Sequence, residues 1–427
     1  MTQYPISQTT LDNGLRVVVS PDHSVPAVAV NLWYDVGSRH EEAGRTGFAH
    51  LFEHLMFQGS EHVASAQHLA LMQAQGASVN ATTWFDRTNY FEALPVGGLD
   101  LALWLEADRM GTLLSAVNQE NLDNQREVVK EEKRQRYDNV PYGDLMIHLC
   151  EVVFPQGHPY AHTTIGSMED LNAASVEDVH RFFTTHYRPN NAVLSLVGDL
   201  TPEQGFAKAA EYFGEIPAGP VPPAPQMPPL EPLAEPTRVR LTREVPAALV
   251  ALGWRVPQFG DPALDAVSLA LDILGGGTQS ARLYRLLVRD TERAESVSAS
   301  ALGLIGGNSL AVVNARARDG VPIDDLTAEI GAEITRLAEE GPTAEEMRRA
   351  KAQFERAWLE SLAEIATRAD QLSAYATLVG DPERVNARLA EVNAVTADQV
   401  REATSTWLNP DRAAGVVYLP TASPEEN

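Results

Sequence analysis

Cysteine is nearly absent from this 427-residue chain: Cys150 stands alone. That excludes an intramolecular disulfide framework and any zinc site built from several thiolates. Long apolar runs are missing as well, none approaching the roughly 18 residues needed to cross a bilayer, so no transmembrane anchor is expected. Positive charge is scarce, with 33 Lys and Arg against 58 Asp and Glu, a formal charge of −25. This sign opposes the counterion release that draws proteins to nucleic acid. No basic patch interrupts it, and no nucleic-acid partner is expected. The N-terminal MTQYPISQTT has neither a basic region nor an apolar stretch after it, and so does not read as a signal peptide.

What is present indicates two folded domains. With 44% apolar residues the chain is too apolar for a disordered acidic segment and too long for one ordinary core. Residues 217–236 hold nine of the 27 prolines, a density that suits neither a helix nor a central strand. We read this stretch as a linker between domains at 1–216 and 237–427. The two sides look like copies. Val25-Pro26-Ala27 opens an apolar run, and Val245-Pro246-Ala247 opens another 220 residues later; the segment from Ser175 matches the one from Thr396, 221 residues on. Matching order and spacing at both ends predict a duplication.

Each half reads as mixed α and β. Val28, Val30, Leu32 and Tyr34 alternate with Ala29, Asn31, Trp33 and Asp35, the period of a strand. Gly47 to Phe57 lacks that alternation and suits a helix. Leu101, Trp104 and Leu105 have helical spacing, and Ser175 with Asp178 has the form of a helix N-cap pair.

The sharpest local pattern is HLFEH, residues 50–54. On a helix, His50 and His54 project from one face and can share a metal ion, with Glu53 bordering the same site. Two imidazoles and one carboxylate suit Zn²⁺ with a fourth position left for water. Candidates for the carboxylate lie in NLDNQREVVKEEKRQRYDN: Glu127 and Glu131 share a face one turn apart, and Glu132 is rotated about 100° from Glu131. Spacing alone leaves the three open. His148, Cys150, His158 and His162 are close in sequence, but Pro155 and Pro159 interrupt them, so a shared ligand face is not expected. Gly275-Gly276-Gly277 lacks the Gly-Lys-Ser/Thr of a phosphate loop.

HLFEH is an inverted zinc-peptidase motif. Its surroundings resemble the pitrilysin/insulinase family, most closely the half-size subfamily that includes mitochondrial processing peptidase subunits. The resemblance runs through VGSRHEEAGRTGFAHLFEHLMFQGS, NATTWFDRTNYFEALP, NQREVVKEE and HPYAHTTIGSMEDL, and in the second half through LGGGTQSARLYRLLVRD. It implies an α+β fold of two tandem homologous α/β sandwich domains, each a mixed, mostly antiparallel sheet packed with helices, the second without zinc ligands. It further implies a zinc endopeptidase with one Zn²⁺ per chain, bound by His50, His54 and Glu131, with Glu132 as the alternative third ligand. Glu53 is then the catalytic base. Family members commonly carry an acidic residue seven positions before the third ligand; Asn124 stands there, and Glu127 is the candidate to orient a ligand in its place.

The segment ASVNATTWF resembles the family's edge strand, which binds extended peptides by strand addition, with Asn80 and Ala81 as candidate substrate contacts. Active relatives also place an arginine and a tyrosine in the second half. Here Arg289 is present for substrate binding, but the tyrosine position falls on Ser296, or on Glu295 if a gap is allowed. Full-length relatives use four such domains, so we expect a homologous, non-identical subunit to supply the missing pair in a heterodimer. A homodimer is one alternative and a non-catalytic, substrate-guiding subunit another. A periplasmic location is expected over a cytoplasmic one, with a leader already removed.

Overall fold

The computed structural model describes residues 3–421. They form two compact units, each with one sheet. The first unit holds β1 (Ser7–Thr10), β2 (Arg16–Pro21), β3 (Ala27–Tyr34), β4 (Ser78–Thr83), β5 (Thr88–Pro95) and β6 (Ala192–Gly198) in the order β1-β2-β6-β3-β5-β4. The second holds β7 (Thr237–Arg243), β8 (Leu249–Pro257), β9 (Ala294–Leu302), β10 (Asn308–Ala317) and β11 (Ala414–Pro420) in the order β7-β11-β8-β10-β9. Each sheet has a single parallel pairing, β2 with β6 and β7 with β11, and is otherwise antiparallel. Apart from β1 the two orders correspond strand for strand, so the duplication read from spacing is present in the topology. Residues 217–236 contain no helix and no ladder strand.

The units are not contiguous in sequence, which corrects the simple division at the linker. The first comprises residues up to Lys133, Thr163–Pro225 and Ala357–Arg388; the second comprises Arg134–His162, Gln226–Arg356 and the residues from Leu389. Sheet faces explain the exchange. The Ile365–Ala374 helix lies on β3 and β6, and β3 is consequently buried on both faces instead of alternating between core and solvent. In the second unit α5 (Leu145–Val153) packs on β8 and β11.

Four helices of the first unit bear on the site: α1 (Phe48–Leu55), α2 (Gln67–Ala74), α3 (Leu99–Thr112) and α4 (Gln119–Lys133). The Ser175/Asp178 pair does form a capping box, at the start of the Val176–His186 helix. In α3 the expected apolar stripe is realised in part, with Leu105 buried and Leu101 half-buried. Trp104 is exposed, and the inward face carries Leu103, Glu106, Arg109 and Met110.

Candidate metal centre

Helix α1 is built for its position. Phe48, Ala49, Leu51, Phe52 and Leu55 are buried, which leaves His50, Glu53 and His54 on the remaining, half-buried face. Its first turn is closed by a side chain distant from any local capping pattern: the Glu41 carboxylate accepts from the amides of Gly47 (3.0 Å) and Ala49 (2.8 Å). Gly47 at φ +85° is required there twice over, by its left-handed backbone and because a Cβ would lie 2.7 Å from the Ile165 carbonyl oxygen.

Helix α4 packs on α1 and contributes the distant carboxylate. It is Glu132, the alternative third residue, and not Glu131 that faces the two histidines. Glu132 Oε2 lies 3.6 Å from His50 Nε2 and 3.4 Å from His54 Nε2, and the two Nε2 atoms are 3.3 Å apart. Glu131 is exposed. The reason is helical phase: Leu122, Gln125 and Val129 form the buried stripe of α4, and Glu132, three residues after Val129, continues it, whereas Glu131 turns about 100° away. Glu127 is displaced by the same phase. Its side chain is 63% exposed and binds Lys130 at 2.8 Å. Two turns before Glu132 stands the buried Gln125, not the exposed Asn124.

The donor set fits a zinc ion. Ligand atoms held tetrahedrally at about 2.0–2.1 Å from a common centre stand about 3.3–3.4 Å from one another; two of the observed separations have this spacing and the third, 3.6 Å between His50 and Glu132, is slightly longer.

Glu53 lies beside the triangle. Burial pushes its carboxyl above the usual range, opposed by a hydrogen bond from Thr83 and by the charges of His54 and Arg87. Thr83 is the last residue of β4, the edge strand of its sheet. Asn80 on this strand is exposed and its Oδ1 accepts from the Ala81 amide at 2.9 Å; Ala81 is buried. The hairpin that ends β4 is tightly fixed. Ser38 N donates to the Trp84 carbonyl (3.2 Å), Arg39 N to that of Phe85 (3.0 Å), and Trp84 N to that of Arg87 (2.8 Å). Arg87 in turn donates to the Thr82 carbonyl (2.9 Å) and to Asn89 Oδ1 (3.0 Å). Asp370, from the Ile365–Ala374 helix, accepts from Trp33 Nε1 (2.9 Å) and Asn89 Nδ2 (3.1 Å).

A second group of ligating residue types, His68, Glu92 and Glu106, is fully buried among the described residues. Arg109 occupies the place a cation would take, donating through Nε (3.0 Å) and Nη2 to the two oxygens of Glu106 and lying over the Tyr90 ring at 4.2 Å. Burial and the adjacent Glu106 raise the Glu92 carboxyl well above its ordinary range. Burial, then Arg109, push His68 down to about 3.

In the second unit Arg289 is exposed and bound to Asp290 (2.7 Å). Glu295 pairs with Arg316 at 2.5 Å, and Ser296 is exposed on β9. His148 engages Asp144 and Glu151, and His158 stacks on Phe154.

Residue patterns found by comparison agree with this architecture. Residues 16–152 match the family model described as Insulinase (Peptidase family M16), and residues 173–354 match the one described as Peptidase M16 inactive domain. The zinc protease PqqE of Helicobacter pylori is 34% identical over 279 residues, covering 64% of this chain and 61% of that protein, so the match spans less than two thirds of the relative. The crystal structure of a protease from Helicobacter pylori superposes with a TM-score of 0.92 at 25% identity, over 98% of this chain and 100% of that one. The periplasmic protease PqqL from Escherichia coli matches in fold, with a TM-score of 0.76 at 20% identity, over 98% of this chain but 48% of its own. Two tandem sheets in the same order, an inverted histidine motif on α1 and these matches lead to one conclusion: the chain belongs to the pitrilysin/insulinase family of peptidases, family M16.

Proposed function

We propose that this chain is a zinc-dependent endopeptidase subunit acting on extended peptides, with one ion held by His50, His54 and Glu132. The observation that carries the reading is the triangle of 3.3, 3.4 and 3.6 Å between the three ligand atoms, whose edges suit a single tetrahedral cation. Bound there, zinc supplies Lewis acidity toward a scissile carbonyl and makes water easier to deprotonate.

The chain's own groups do the rest. Glu53 takes a proton from the attacking water, holds it on its carboxyl and passes it to the leaving amine nitrogen. The free edge of β4 offers backbone donors and acceptors to an extended peptide, with Asn80 and Ala81 at the contact, so affinity demands little of the substrate's sequence. Glu53→Gln is expected to keep one zinc per chain by metal analysis while losing turnover of a quenched-fluorescence peptide library. Near-normal rates in that variant would remove Glu53 from its role.

Activity further requires a partner in this reading. PqqL is about twice as long as the stretch matched here, and the arginine/tyrosine pair is incomplete, with Glu295 engaged by Arg316. A homologous, non-identical subunit bearing both residues completes the site. Full activity of the isolated chain would sink the heterodimer in favour of a homodimer, and zinc-free preparations inert with every partner would indicate a substrate-guiding subunit. The description of PqqL as periplasmic supports placing this chain in the periplasm, which fractionation of cells carrying the full-length gene would test.

A further inference from the structure

Glu53 is anchored by the strand that would receive the substrate. Thr83 Oγ1 donates to Glu53 Oε2 at 2.5 Å, and Thr83 is the final residue of β4, paired across the ladder with Thr88. Its hydroxyl faces α1 from a buried position, and the turn that follows is held by backbone bonds to Ser38 and Arg39. One oxygen of the base is thus tied to a rigid point, leaving the other to meet water. A carboxylate beside a zinc ion has an alternative: it can swing onto the metal and fill the position that water needs. A fixed donor on its far side opposes that swing.

We propose that Thr83 is a positioning residue for the Glu53 carboxyl, holding it as a base beside the metal site and off the metal itself. The proposal rests on the peptidase reading above for its kinetic consequence but not for its structural one. Because Thr83 belongs to the edge strand, a peptide paired along β4 stiffens the element that aims the base. Substrate binding and base alignment are then linked through one side chain.

Two measurements test this. On the metal-free chain, a double-mutant cycle of Thr83→Val, Glu53→Ala and their combination, followed by urea unfolding, should show coupling of roughly tenfold in the unfolding equilibrium constant. Additive effects would overturn the proposal, since a hydroxyl that merely fills space has no specific partner. In the zinc-loaded protein with its partner, Thr83→Val should lower kcat by roughly 100-fold, the scale of a reacting group misplaced by about 1 Å, with KM and zinc content unchanged. Thr83→Ser, which restores the donor, should recover most of the loss. Equal kcat in Thr83→Val and wild type, or failure of Thr83→Ser to rescue, would also overturn it. Absence of turnover in the wild type would instead refute the peptidase reading and leave the metal-free cycle to decide Thr83.

Discussion

At the scale of single residues, position on a helix decides chemistry that residue type leaves open. Glu131 and Glu132 are the same amino acid one step apart, yet only Glu132 continues the Gln125–Val129 stripe toward the histidines. We therefore expect Glu132→Gln to abolish stoichiometric zinc binding in a metal titration and Glu131→Gln to leave it intact. The buried carboxyls of the first unit differ in the same contextual way. Glu106 pairs with Arg109, which holds its carboxyl below the ordinary range, while burial and Glu106 raise that of Glu92. Glu106→Gln, which strands a buried guanidinium, should cost roughly 3–5 kcal/mol; Glu92→Gln mimics the neutral acid and should cost little at acid pH. A raised carboxyl pKa means the folded state holds the proton longer, so wild-type stability declines as pH climbs past the ordinary carboxylate range. Urea melts at pH 5 and pH 8 should show Glu92→Gln gaining on the wild type as pH rises.

At the scale of elements, the hairpin between β4 and β5 is the part on which the site depends most. It is seated on Gly37, where any Cβ would fall 2.3 Å from the Trp84 carbonyl oxygen and 2.5 Å from that of Phe85. Both contacts are backbone, so neither can be relieved by a rotamer change. Gly37→Ala should lower stability by roughly 1–3 kcal/mol, the range for overpacking, and a thermal melt would register it. The helical elements were largely legible in advance: HLFEH sits on a helix, and Ser175 caps one, because both signals are local. The inward ion pair on α3 was not. Glu106 and Arg109 look like a solvated i,i+3 pair in sequence, and only the surrounding Tyr90, Phe57 and His68 make them interior.

At the scale of the whole molecule, the two units depend on residues far from them in the chain. The first sheet is covered by Ile365–Ala374, with Asp370 bonded to Trp33 and Asn89, Arg368 to Asp22 at 2.6 Å, and Ser373 to Ser195 at 2.7 Å. Residues 1–216 produced alone would leave Asn31, Trp33 and Ser195 uncovered. We expect that fragment to bind a hydrophobic dye and lose the near-ultraviolet dichroism of Trp33, and a fragment extended by a linked 344–388 segment to regain it.

The sequence by itself determined the duplication, the strand and helix types and the two imidazoles, because each of these follows from repeat spacing or from neighbours within one helical turn; the family came from resemblance across several separated segments. Tertiary structure alone decided which glutamate completes the triangle, that Thr83 holds Glu53, and which late helix covers the early sheet. Those outcomes depend on helical phase against a distant partner and on burial between segments more than 300 residues apart, as in the 337 residues between Trp33 and Asp370, and no local periodicity encodes them.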